Sequence, residues 1–207
     1  MPLPRFEKLP EEKRRAILDA AAVEFAEHGY EGASFNRIIA AAGISKGAMY
    51  YYFADKGDAY GAVLDDVMDG IERMMDGIEP PTDAEGFWRM LELGLGRMEE
   101  AFFADPRLAA LMRTLYQRGP GDTTYLRLME RSRAWVGSLL VIGQGVGAAR
   151  DDLPLSLLTD VVTAMMAAVD QWGDRALDTI GLDELMALSP KILELVRDLL
   201  EPRPPRS

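Results

Sequence analysis

Ser45, Lys46 and Tyr50 stand within six residues of one another, just after Gly43 and Ile44. A hydroxyl, an ammonium and a phenol beside the free backbone N–H groups of a helix start form a donor set suited to phosphate. Gly47 and Ala48 lack bulk, so the helix that carries them can approach a groove wall closely. Met49 and Phe53, four residues apart, are predicted to face inward as its apolar anchor. Together these residues could lay one short helix in a DNA groove. The same spacing also fits a surface αα-hairpin around a buried aromatic knot.

Bond-making chemistry finds little support. The chain has no cysteine, which excludes disulfides, thiolate metal sites and cysteine catalysis. Its one histidine, His28, precedes Gly29 at the end of the first predicted helix, where it most simply favours the helix C-terminus. No His-x-x-x-His, Glu-x-x-His or Gly-x-Ser-x-Gly arrangement occurs. Gly143, Gly145 and Gly147 have a glycine rhythm, but no strand precedes them. They read better as thinning a helix where another crosses. No catalytic residue, metal or cofactor is expected.

The elements that must position the donors follow from breakers and periodicity. Pro10 to His28 is predicted as a first helix, with Ile17, Ala21 and Phe25 on one face. Ser34 caps a second, with Ile38, Ile39 and Ala42 at helical spacing, and Gly43 ends it where positive φ is needed. Ser45 caps a third that is barely two turns long. Helices this short are marginal alone, so a bundle must hold it. This arrangement is a helix-turn-helix, whose second helix presents its N-terminal residues to base edges.

The residues from about 10 to 60 resemble the tetracycline-repressor (TetR) family of bacterial transcription regulators. Ile17, Ala21 and Phe25, Gly29-Tyr30, Ser34, Ala42-Gly43-Ile44-Ser45, Gly47-Ala48-Met49-Tyr50, Tyr52-Phe53 and Lys56 match its pattern in one register. Ile39 replaces the usual alanine, Met49 the usual leucine or isoleucine, and Gly57 the usual acidic residue. The resemblance implies that Ser34, Tyr50, Tyr52 and Lys56 hold phosphates. It places Asn36, Arg37, Ser45 and Lys46 nearest base edges, and Asn and Arg are chemically apt readers of adenine and guanine.

A net charge of −11 looks wrong for a DNA-binding protein. Residues 1–56, however, hold 8 Lys+Arg against 8 Asp+Glu, so the acidity belongs to the rest of the chain. Lys13, Arg14, Arg15, Arg37, Lys46 and Lys56 can face DNA while Asp19, Glu24 and Glu27 are predicted to face away. The opening residues are charged and proline-broken rather than a secretory apolar run, and no stretch is long enough to span a membrane. A cytoplasmic protein is expected.

Beyond Lys56 the chain again reads as helices: Asp55 to Ile78, Thr82 to Ala104, a helix opened by Asp105-Pro106, and a long one from Asp122. Then come Pro154 to Thr179, a short Asp183–Leu188 and a last helix from Ser189-Pro190 to Leu200. No alternating β pattern appears, so an all-α fold is predicted. Its divisions are a DNA-binding head over 1–56, an effector-binding and dimerisation body over 57–201, and a disordered tail over 202–207. The fourth helix starts beside the head and runs into the body, as a mechanical link.

Trp88, Met112, Tyr116, Tyr125, Met129, Trp135, Met165 and Met166 could line an apolar effector pocket, since large aromatics and adaptable methionines suit one. The alternative for each is plain core. Glu92, Glu99 or Glu130 would permit a cationic effector, or are solvated surface carboxylates. Reading a palindrome needs two heads, and the last two long helices have apolar residues to spare. These are Val161, Met165, Val169, Trp172, Ala176, Ile192, Leu195, Val196 and Leu199. The resemblance implies that these helices pair with their two-fold mates as a four-helix bundle. Small residues at Ala164, Ala167, Ala168 and Gly173 would ease that approach. The alternative is that they close the monomer's own core.

The function expected is a homodimeric, ligand-responsive repressor that releases a palindromic operator on binding a small apolar or amphipathic effector. The alternative is a helical ligand-binding or protein-interaction module without operator binding.

Overall fold

A computed structural model describes residues 3–202. The expected disordered tail, apart from Pro202, lies outside the described residues. The described chain is all-α, with no strand: α1 (Glu11–Gly32), α2 (Phe35–Ala42), α3 (Lys46–Tyr52), α4 (Lys56–Arg73), α5 (Ala84–Ala104), α6 (Arg107–Arg118), α7 (Thr123–Gly145), α8 (Leu155–Met186) and α9 (Ser189–Leu200). A 3-10 turn over Gly119–Gly121 joins α6 to α7. Among the described residues no helix is long and apolar enough to cross a membrane.

Packing divides the chain into two compact units. One is the chain up to Arg73 together with Phe102–Leu128; the other is Met74–Ala101 together with the chain from Met129 onward. The unit that holds the head is therefore larger than the 1–56 segment. It takes in α4, α6 and the start of α7, and α1 packs against α2, α4 and α6.

In the first unit, Ile17, Ala21 and Phe25 of α1 are buried as their spacing requires, with Ile38 of α2 and Met49 and Phe53 at the end of α3. Phe25 meets the ring of Tyr60 at 4.9 Å, and the Tyr60 hydroxyl donates to the Leu111 carbonyl of α6 at 3.4 Å. Such a buried aromatic contributes several kcal/mol, since truncating one costs about 3–5 kcal/mol. α1 continues past the expected end at His28 to Gly32, turning at Gly29. α4 stops at Arg73 rather than Ile78, because residues 74–77 form turns.

The second unit has its own core. Phe87 and Trp88 of α5 pack with Leu140, Ala148, Ala149, Leu158, Val162, Val196 and Leu200. Gly143 is where α5 crosses: a β-carbon there would stand 2.9 Å from the Phe87 ring, so only glycine lets the helix pass. Of the three glycines near the end of α7, Gly143 alone serves packing, whereas Gly145 meets open space and Gly147 takes a left-handed φ of 72°. Val196, expected on a two-fold face, is buried in this core instead, and Met165 and Leu199 pack partly against it. α8 runs through the expected break, bending at Gly181 rather than ending there.

Candidate nucleic-acid interface

α2, α3 and the turn between them build the candidate surface. Ser34 takes the N-cap backbone conformation of α2, although its hydroxyl makes no capping bond. Gly43 ends α2 at φ 65°, in the left-handed region where a side chain is strained. Ser45 then caps α3 directly: its Oγ accepts the Ala48 amide at 3.1 Å. That leaves the hydroxyl hydrogen available to donate outward.

The two faces of α3 are sharply different. Met49 and Phe53 are fully buried and fix the helix in the unit. Ser45, Lys46, Gly47 and Tyr50 are exposed, as is Asn36 on α2. Tyr50 is 51% exposed although the edge of its ring rests on Phe35 at 5.7 Å, which orients the phenol without covering it. The helix presents a hydroxyl, an ammonium, a phenol and bare backbone to solvent at no cost to the core.

Two residues expected at DNA are engaged elsewhere. Arg37 reaches back to α1, where its Nε donates to both Glu24 oxygens at 2.8 and 2.9 Å and a terminal nitrogen donates to the Gly32 carbonyl at 2.6 Å. Glu24, expected to face away from DNA, is 6% exposed and also accepts the Ser34 amide at 2.7 Å. The pair braces α2 on α1. Lys56 donates to the carbonyls of Glu31 and Ala33 at 3.0 and 3.3 Å, satisfying the open end of α1. An ammonium has three donors, so one remains for a phosphate. Tyr52 is half-buried, in edge contact with Phe6.

Behind this surface the Tyr30 ring is held between two cations. The Arg118 guanidinium lies 3.5 Å from its centre and the Lys56 ammonium 4.7 Å. Arg118 also pairs with Asp122 at the start of α7. A polar cavity of about 390 Å³ opens here, lined by Tyr30, Asp55, Asp58, Arg118, Asp122 and Arg127 among others. Burial raises the Tyr30 phenol above its ordinary value, although the Arg118 charge opposes this.

The eight candidate effector residues do not line that cavity. Met112, Tyr116 and Tyr125 lie in the first unit, with the two tyrosine rings 6.4 Å apart. Trp88, Met129, Trp135, Met165 and Met166 lie in the second. Trp88 is 2% exposed and belongs to the core; Met129, Trp135, Met165 and Met166 are half-buried. Of the carboxylates offered to a cationic effector, Glu92 and Glu130 are exposed and Glu99 is half-buried. On α8 and α9, Val161, Trp172 and Leu195 are exposed, whereas Val169, Ala176 and Ile192 are half-buried.

Residues 17–63 match the family of bacterial regulatory proteins described as the tetR family. The chain is 29% identical to the HTH-type transcriptional repressor SCO4008 of Streptomyces coelicolor over 161 residues, covering 75% of this chain and 77% of that protein. Its head is that of the TetR family. It is accordingly a DNA-binding transcription regulator. A stretch of 47 residues is 49% identical to the repressor AcnR of Corynebacterium glutamicum, a match that spans 23% of this chain and 25% of that protein.

Solved structures of transcription regulators share the fold. A regulator from Chloroflexus aurantiacus aligns over 96% of this chain and 94% of its own, at 26% identity and a TM-score of 0.53. FadR from Bacillus subtilis, solved in complex with stearoyl-CoA, aligns over 88% and 96%, at 23% identity and a TM-score of 0.70. Within this TetR-family head, the sequence pattern does not reveal the Glu24–Arg37 brace, the Arg118–Tyr30 stack or the exposure of Tyr51. Each depends on residues brought together from different helices, and periodicity reports only which face of its own helix a residue shares.

Proposed function

We propose that the protein is a homodimeric repressor that holds a palindromic operator and releases it on binding a small effector. Asn36, Ser45, Lys46, Gly47 and Tyr50 would lie along the groove, with Ser34, Tyr52 and Lys56 at flanking phosphates. Arg37 serves as the brace of α2 rather than as a base reader. The observation that carries this reading is α3 itself: capped by Ser45, locked through Met49 and Phe53, and bare of cover at Lys46, Gly47 and Tyr50. A two-turn helix held this firmly with a polar, exposed outer face is suited to docking in a groove. SCO4008 and AcnR are both described as repressors, which supports the negative sign of control.

The effector would be apolar or amphipathic, taken up among the half-buried Met129, Trp135, Met165 and Met166 of the second unit. FadR, which shares the fold, is solved in complex with stearoyl-CoA, an amphipathic molecule of that class. The ligand shifts the population only by its differential affinity, so substantial release requires a preference of a few kcal/mol for the non-binding conformation.

The test is footprinting of the purified protein on DNA fragments that it selects from its own genome, at two salt concentrations. A protected palindrome that weakens with salt is expected. Tyr50→Ala should lower the affinity by about 1–3 kcal/mol with helicity unchanged. Failure to select any DNA sequence would favour a helical ligand-binding or interaction module instead.

A further inference from the structure

The segment ahead of α1 is built into the reading head. The Leu3 amide donates to the Tyr52 carbonyl at the end of α3, at 2.8 Å. Two turns follow, with the Phe6 amide on Leu3 at 2.8 Å and the Leu9 amide on Phe6 at 3.1 Å. Phe6 is 2% exposed, and its ring lies 4.7 Å from Phe53. An apolar anchor and a backbone hydrogen bond therefore fix residues 3–9 against the C-terminal end of α3.

Arg5 stands beside that anchor, its guanidinium 4.4 Å from the centre of the Tyr51 ring. Tyr51 is itself 51% exposed and adjoins Tyr50. The other head arginines are matched to carboxylates: Arg14 with Glu7, Arg15 with Asp66 and Arg37 with Glu24. Among the described residues Arg5 alone of these four has no carboxylate partner. A guanidinium seated face-on to a ring keeps its in-plane N–H donors free, and the exposed phenol supplies another. Unpaired positive charge held rigidly beside an exposed phenol, in a chain of net charge −11, suits an anion arriving from outside.

We propose that Arg5 and Tyr51 form a further DNA-phosphate contact, with the segment before α1 acting as part of the interface. This rests on the operator-binding reading above. Arg5 donates in-plane to a backbone phosphate while Tyr51 holds the guanidinium in place, so the ordering of a long side chain precedes binding.

The experiment measures affinity for a duplex that the wild-type protein enriches from random sequence, across a salt series. Wild type, Arg5→Gln, Arg5→Lys, Tyr51→Leu and Tyr50→Ala are compared, with thermal melts as the fold control. Arg5→Gln should weaken binding about three- to thirtyfold and reduce the magnitude of the log–log salt slope by about 0.9, the value for one phosphate contact. Arg5→Lys should retain the slope, and Tyr51→Leu should weaken binding with the melt unchanged. Loss of affinity at Arg5→Gln with an unchanged slope would show a packing role and overturn the proposal. Unchanged binding by Arg5→Gln while Tyr50→Ala fails would overturn it and leave the operator reading standing. A wild-type chain that enriches no duplex would overturn both.

Discussion

Burial alone would raise the Glu24 carboxyl. The Arg37 hydrogen bonds, the Ser34 amide and the Arg37 and His28 charges together outweigh it, and hold the group below the usual carboxylate range. A carboxyl depressed on folding stabilises the fold above its unfolded value, and that contribution disappears as pH falls through the folded value. Wild type should therefore lose stability on acidification below roughly pH 4, where an ordinary glutamate protonates. Asp105 and Asp122 are depressed too, by Arg107 in the first case and by Arg118 against burial in the second, so they share this acid limb. Glu24→Gln isolates the first contribution. It should cost about 1–3 kcal/mol at pH 7, in the range for hydrogen bonds to a charged group, and flatten the acid limb relative to wild type. Urea midpoints at pH 7 and near pH 3.5 read both effects, and identical acid limbs would count against the brace. In sequence, Glu24 reads only as one of several acids of the first helix that face away from DNA. Its position one turn before His28 says nothing of Arg37, which arrives from α2. Ser45, Met49 and Phe53 were legible because cap, turn and anchor all lie within one short segment.

Among the elements, the extent of most helices was legible because strong breakers bound them. Gly43, Asp105-Pro106, Gly119-Pro120-Gly121 and Pro154 all fall where helices end or begin. Which helices pack together was not legible. α6 carries the buried Leu111, Thr114 and Leu115 and packs on α1, so it belongs with the head although α2 to α5 intervene in sequence. Arg118 at its end ties the group: it stacks on Tyr30 of α1, lies 5.7 Å from the Tyr60 ring of α4 and pairs with Asp122 ahead of α7. Burial raises the Tyr60 phenol strongly, partly opposed by the Arg118 charge. Removing the cation should thus loosen the junction of four helices at once. Arg118→Gln is expected to destabilise the protein by about 1–2 kcal/mol, the range of a largely desolvated cation–π contact. In a chain of this size that is a fall in Tm of roughly 2–8 °C. A melt within 1 °C of wild type, by contrast, would mean that α6 is held by its apolar face alone.

At the scale of the whole molecule, a palindromic operator demands two heads spaced by about one turn of DNA, roughly 34–36 Å, or a multiple of it. The proposed pairing would use exposed apolar residues of the second unit. Leu157, Val161 and Trp172 on α8 are 47%, 40% and 44% exposed, and Leu195 on α9 is 58% exposed. Positions 157, 161, 168 and 172 recur at helical steps of four, seven and four, so Val161 and Trp172 flank the exposed, small Ala168 on one face, with Leu157 one turn beyond Val161. Val196 is excluded from that face by its burial, which divides the apolar residues of α9 between a monomer core and an outer surface. The division makes a clean test possible, because Val161 and Trp172 contribute little to the core of their own unit. Val161→Glu with Trp172→Glu should leave helicity and melting close to wild type but halve the mass measured by sedimentation. The separated chains should then bind an operator half-site as weakly as a single head allows, and the footprint should shrink or vanish at concentrations where wild type protects both halves. A variant that still sediments as two chains would place the pairing elsewhere. If it sedimented as one chain yet kept the full footprint, the two heads would instead be assembled by the DNA itself.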